Sequence, residues 1–314
     1  MTLDAGARRG APMSDVGSTG TRGGSALSVG TTIRHVSVHG QRVRVAVRPG
    51  SGAGTPLVLC CGLGAGLEVF QPVIDALPAE VEVIRFDVPG VGGSPTGPLP
   101  YRFGLLALGL TRVLDELGYD QVDVLGFSWG GALAQQFAAQ YPRRCRRLVL
   151  VSTGTGMVMV PGRPSTLIKM MGPRRFREPD YAASILADLY GGSAHRRQGD
   201  LRDAQDSQGG GSLRGYLHQL AAGIGWTSLP FLKLIRQPTL VMGGHEDPIV
   251  PVTNARLLAR LIPHARLHIY RGGHVELITE AAELVPVLTG FLAGPGGGGP
   301  PRPVRGPAVA VAAG

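Results

Sequence analysis

The stretch Gly126-Phe127-Ser128-Trp129-Gly130 follows the apolar run Val122 to Leu125 and precedes a strong helix pattern from Ala132 to Tyr141. A serine between two glycines at a strand-to-helix junction reads as a nucleophile elbow. The turn is so tight that large residues flanking the serine would clash. Gly126 and Gly130 relieve that crowding and leave the hydroxyl exposed at the top of a sheet. The helix that follows directs its partially positive N-terminus at the same place.

Working outward, the chain alternates strand and helix patterns. Thr31 to Val38 and Gln41 to Val47 read as an antiparallel hairpin turning at His39-Gly40. Pro56 to Cys61 is a buried strand ending in Gly62-Leu63-Gly64-Ala65-Gly66. A helix from about Phe70 leads to the strand Val81 to Phe86 and the turn Asp87-Val88-Pro89-Gly90-Val91-Gly92-Gly93-Ser94. The helix Phe103 to Leu117 precedes the elbow strand, and Cys145 to Ser152 supplies the next buried strand. From 155 to 236 the pattern is helical, broken by Gly and Pro, with no clear strand. Strands return at Pro238 to Met242 and Ala265 to Tyr270. The expected fold is α/β, a mostly parallel sheet with helices on both faces and a helical cap inserted after the sixth core strand. The expected division is a disordered tail at 1–28, a core at 29–154 and 237–293, the cap at 155–236, and a disordered Gly/Pro-rich tail at 294–314.

Composition removes several alternatives. The 314 residues carry a net charge of +9, but only 5% are aromatic and the arginines are scattered, so no basic run interleaved with aromatics suggests nucleic acid as a partner. No segment reaches the roughly 20 apolar residues that span a bilayer. The N-terminus lacks the apolar stretch of a secretory signal, so a cytoplasmic protein with reduced thiols is expected. The three cysteines, Cys60, Cys61 and Cys145, form neither a disulfide framework nor a spaced metal site, and no cofactor or metal is expected.

A serine nucleophile needs a base within hydrogen-bond reach and an acid to orient that base. On this architecture the order is Ser, then acid, then His, each on a loop after a strand. The acid belongs in Gly243-Gly244-His245-Glu246-Asp247-Pro248, where Asp247 is the choice and Glu246 the alternative. The base is His274, on the glycine-hinged loop Arg271-Gly272-Gly273-His274. Backbone N–H groups of Trp129 and Leu63 should form an oxyanion hole. Asp87 is read as fixing its own Pro-Gly turn, and Cys60 and Cys61 as strand core. Trp226 and Met157 are candidates for a substrate pocket.

Three stretches resemble a particular family: Phe86 to Ser94, Ser128-Trp129-Gly130-Gly131-Ala132-Leu133-Ala134-Gln135-Gln136-Phe137, and Gly223-Ile224-Gly225-Trp226-Thr227-Ser228. They are similar to intracellular medium-chain-length polyhydroxyalkanoate depolymerases of the α/β-hydrolase superfamily, over about residues 31 to 293. The resemblance implies the α/β-hydrolase fold, a triad at Ser128, Asp247 and His274, and a hydrophobic polyester as substrate. It also implies contact with intracellular polymer granules. A carbon–carbon bond hydrolase of ring-cleavage dienoates, a small-ester carboxylesterase and a non-catalytic granule-coat protein are the alternatives. The dienoate reading would use cap cations such as Arg174, Arg175 and Arg177.

Overall fold

The computed structural model describes residues 27–28, 30–51, 54–171, 174, 178–196 and 212–294. Both expected tails lie almost wholly outside them, as do Arg175 and Arg177. Strands β1 (Thr32–Val38) and β2 (Gln41–Arg48) form the expected hairpin, with His39 and Gly40 both at positive φ in the turn. Strand β3 (Leu57–Cys60) is shorter than its apolar run. Cys61 already belongs to the following loop, where its Sγ lies 3.5 Å from Gly66 O. A 3₁₀ turn (Leu67–Phe70) and helix α1 (Gln71–Ala76) lead to β4 (Val83–Phe86). Helix α2 (Phe103–Leu117), strand β5 (Val122–Phe127), helix α3 (Trp129–Gln140) and strand β6 (Cys145–Val151) follow.

Between β6 and β7 lies a helical insert containing α4 (Pro164–Met171), α5 (Pro179–Ser184), α6 (Leu186–Tyr190) and α7 (Leu213–Gly223). Its two ends are fastened by one antiparallel bridge, Gly156 to Thr227, flanked by Met157 N donating to Trp226 O at 2.9 Å and Ser228 N to Thr155 O at 3.0 Å. Strand β7 (Thr239–Gly244), helix α8 (Val252–Leu261), strand β8 (Ala265–Tyr270) and helices α9 (Glu276–Thr279) and α10 (Ala281–Ala293) complete the chain.

The eight strands run in the order β1-β2-β4-β3-β5-β6-β7-β8, and every pairing from β4 to β8 is parallel. Successive side chains of a strand point to opposite faces, and here both faces are covered. On one, Val58, Val124, Leu148 and Leu150 pack with Phe103, Leu110 and Leu114 of α2 and Phe137 of α3. On the other, Leu57, Leu59, Val149 and Val151 meet Val73 and Ile74 of α1 and Leu284, Leu288 and Phe291 of α10. This double burial is why β3 to β7 read as continuous apolar runs.

The turn after β4 is held by Asp87, as expected. Its Oδ1 accepts from Leu67 N and its Oδ2 from Gly93 N, both at 2.8 Å, and Arg44 Nε donates to Oδ2 at 2.6 Å. Burial still pushes this carboxyl above its ordinary range, against the pull of Arg44 and the two amides. The elbow depends instead on missing side chains. A Cβ on Gly126 would lie 2.6 Å from Ala134 Cβ and from Gly130 O. Gly126→Ala should therefore destabilise the fold by about 1–3 kcal/mol, the usual range for overpacking, measured by urea unfolding.

Candidate active site

The sheet delivers three side chains to one edge, each just beyond the C-terminal end of its strand. Ser128 follows β5, Asp247 follows β7 and His274 follows β8. Ser128 sits at φ 53°, ψ −119°, a conformation that costs a non-glycine residue strain. Three hydrogen bonds hold it there. Ser128 N donates to Val151 O at 2.9 Å, and Ser128 O accepts from Gly131 N at 2.9 Å and Thr153 Oγ1 at 2.8 Å.

His274 Nε2 lies 2.9 Å from Ser128 Oγ, and His274 Nδ1 lies 2.8 Å from Asp247 Oδ2. The other oxygen, Asp247 Oδ1, accepts from the backbone N–H groups of Ile249 and Val250, each at 2.9 Å. Two amides thus fix one oxygen and leave the second to the imidazole. His274 is 4% exposed and Asp247 7%, so water competes little for these bonds. Between the two acids weighed from sequence the geometry selects Asp247. Glu246 is exposed, and what it contributes here is its backbone N–H, donated to Gly272 O at 2.9 Å.

The loop after β3 comes within contact of the serine. A Cβ on Gly62 would lie 3.6 Å from Ser128 Cβ, an ordinary contact, and 3.2 Å from the Phe127 ring, which would have to give slightly, so glycine eases the approach of this backbone to the serine. Leu63 follows at once. The Trp129 N–H opens α3, where the first amides have no intrahelical acceptor. Among the described residues neither the Leu63 nor the Trp129 N–H has an acceptor.

The pocket candidates fare differently. The Trp226 indole N–H donates to Gln136 Oε1 at 2.8 Å. Its ring lies 4.8 Å from Phe103, which lies 4.8 Å from Trp129. Met157 is 65% exposed, and its Sδ accepts from Gly225 N at 3.0 Å. Burial pushes the Cys60 thiol up to about 12, which keeps it a neutral strand residue. Cys145 is also buried and opens β6.

Several participants carry no motif. Tyr190 O accepts from His274 N at 2.7 Å, and the Tyr190 ring stacks parallel to the imidazole at 6.3 Å. Glu276, 4% exposed, accepts from Gly273 N at 3.0 Å and Ser193 N at 3.2 Å, tying the histidine loop to the insert. One signal was available in the sequence. Gly191-Gly192 and Gly272-Gly273 face one another, and a Cβ on Gly273 would lie 2.6 Å from the Gly191 carbonyl carbon.

With this geometry in view, comparison with known proteins is informative. The family model described as the alpha/beta hydrolase fold matches residues 55–281. This chain belongs to the α/β-hydrolase family. It is 51% identical over 261 residues to a poly(3-hydroxyalkanoate) depolymerase of Ectopseudomonas oleovorans, covering 82% of this chain and 92% of that protein. It is 30% identical to a 2-hydroxy-6-oxo-2,4-heptadienoate hydrolase of Pseudomonas putida, over 77% of this chain and 90% of that one. Among solved structures, the enol-lactonase of Burkholderia xenovorans LB400 superposes with a TM-score of 0.72 at 23% identity, covering 83% of this chain and all of that one. At that identity the match speaks for the fold alone.

Asp247→Asn should lower turnover of a chromogenic ester by about 10⁴, because the amide cannot hold the imidazole in the working tautomer. Glu246→Gln should leave turnover within about twofold under the same assay, since that side chain lies outside the triad.

Proposed function

We propose that this protein hydrolyses the ester bonds of poly(3-hydroxyalkanoate), with medium-length side chains, through an acyl-enzyme on Ser128. The observation that carries the reading is the unbroken Ser128–His274–Asp247 hydrogen-bond chain, in a protein 51% identical to a named poly(3-hydroxyalkanoate) depolymerase.

In the first step Ser128 Oγ attacks the ester carbonyl carbon while His274 Nε2 takes the hydroxyl proton. The carbonyl oxygen becomes an oxyanion, stabilised by the Leu63 and Trp129 N–H groups. As it collapses, the ester C–O bond breaks and His274 returns its proton to the departing 3-hydroxyl. Water then repeats the sequence on the acyl-serine, with His274 as base, and releases a 3-hydroxyacid or oligomer. Asp247 stays ionised and favours the imidazolium formed in each half-reaction. Every proton is accounted for within the triad and the attacking water.

The substrate is neutral and apolar, so recognition rests on contact area. Each methylene buried is worth about 0.8 kcal/mol, enough for a medium alkyl chain to be told from a methyl group. In this reading the insert acts as a cap over the site. Trp226, one ring from Trp129 through Phe103, forms part of its wall, and Met157 its outer rim. The setting proposed is the cytoplasm, at the surface of stored polymer. No helix among the described residues is long and apolar enough to cross a membrane.

The dienoate reading draws no support from Arg174. That side chain is exposed, pairs with Glu178 at 2.8 Å and lies 4.2 Å over the Tyr181 ring.

Purified protein should depolymerise an emulsion of medium-side-chain polyester faster than one with methyl side chains. Ser128→Ala should abolish both activities while retaining the folded circular dichroism spectrum. Turnover of a dienoate with none of the polyester would overturn the proposal, as would full polyester activity in Ser128→Ala.

A further inference from the structure

The proposed oxyanion hole has an unusual feature. Its two halves come from segments far apart in the core sequence, yet one residue of the insert touches both. Gln219, on α7, is 1% exposed. Its side-chain Oε1 accepts from Gly64 N at 2.8 Å, and its backbone O accepts from the Trp129 indole Nε1–H at 3.0 Å. We infer that Gln219 is a positioning residue for the oxyanion hole, clamping the Leu63 loop and Trp129 together from the insert. This rests on the assignment of the Leu63 and Trp129 amides given above.

The need for a clamp follows from the loop. Gly62-Leu63-Gly64-Ala65-Gly66 contains three glycines, and Gly64 occupies the left-handed region at φ 74°. A glycine-rich loop has many accessible backbone states, so its amides are not aimed by local preference. Inside the loop, Ala65 N donates to Gly62 O at 3.2 Å, a long bond that is borne by the same peptide unit as the Leu63 N–H. The bond from Gly64 N to Gln219 anchors the peptide plane joining Leu63 to Gly64. The Leu63 N–H sits in the preceding peptide unit, so with the Gly64 unit held by Gln219 it can swing from the serine only by rotation about ψ of Gly62 and φ of Leu63, against the Ala65–Gly62 bond. Oxyanion stabilisation acts through donors already aimed before the charge develops, so a restraint of this kind appears in the transition state.

Two neighbours of Gln219 reinforce the contact. Tyr216, one turn earlier on α7, packs over the loop, with its ring 3.4 Å from where a Cβ on Gly64 would stand. Trp129 is meanwhile wedged against Phe103, so its indole N–H is directed at Gln219 O by packing on the other side. Helix α7 therefore works as a brace spanning the two donors. Gln219 touches neither the reacting serine nor its base, which separates its effect from that of the triad.

The test uses the full chain and a soluble chromogenic ester. Gln219→Met keeps the side-chain length and removes the Oε1 acceptor. It should lower kcat by about 10- to 100-fold, a fraction of the loss seen when an oxyanion donor is deleted outright. KM should stay within about twofold. Affinity for an alkyl boronic acid, which forms a tetrahedral anion on the serine, should fall by about the same factor as kcat. The midpoint of the pH–rate profile should not move, because the imidazole is untouched. Folded sites are counted by the endpoint of fluorophosphonate labelling, which should match the wild type even where its rate is slower. Wild-type kcat and boronate affinity in Gln219→Met would overturn the inference. So would an activity loss fully explained by fewer labelled sites, or one confined to KM. Wild-type protein that takes no label and cleaves no ester would overturn the hydrolase reading itself, and this inference with it.

Discussion

Everything at the site depends on how closely two backbones approach. The turn from β5 into α3 lies against the end of β3, and there is no room for a side chain at Gly126 or Gly130. That closeness accompanies a positive-φ conformation at Ser128, restrained by its N–H donating to Val151 O and its carbonyl accepting from Gly131 N and Thr153 Oγ1. The same approach brings Gly62 within contact of the serine, so the nucleophile and the loop of Leu63 share one constraint. Strain of this kind persists only where the surroundings over-determine it. Here the fully buried cores on the two faces of the sheet supply that rigidity.

The insert is fastened to the core at two places. At one end, α7 reaches the Gly64 loop through Gln219 and Tyr216. At the other, Tyr190 and Ser193 reach the base side, through the His274 amide and the buried carboxylate of Glu276. Such interlocking ties the insert to both sides of the Ser128–His274–Asp247 hydrogen-bond chain, although none of those three residues lies within it.

Much of this was legible in the sequence, for identifiable reasons. Strands buried on both faces give continuous apolar runs, so β3 to β7 could be placed to within a few residues. The elbow and the Gly-rich loops carry their own steric logic, and chain order then limited the acid to two neighbours. Asp247 was already the choice over Glu246, and the amides of Ile249 and Val250, which only the folded turn brings to one oxygen, add what the letters could not show. Strand β3 stopped one residue early because Cys61 already turns toward Gly66. Gln219, Tyr190 and Glu276 were unreadable because their roles come from contacts across long sequence separations. Two of them act partly through backbone carbonyls, which any residue type would present. Facing glycine pairs at 191–192 and 272–273 were the only trace left in the letters.

The seam between Tyr190 and Gly273 has a further consequence. It has no side chain on the Gly273 side and holds the backbone N–H of His274, so the histidine loop is anchored there by Tyr190 as well as by Glu276 and Glu246. Peeling the 190–193 segment outward would strip His274 of its amide acceptor and leave the Glu276 carboxylate half-served. Opening of that seam would displace His274, and with it the bonds to Ser128 and Asp247, in the same movement. The Ser128–His274–Asp247 chain is thus intact only while this seam is closed, and a segment without a charged side chain at the contact keeps it so.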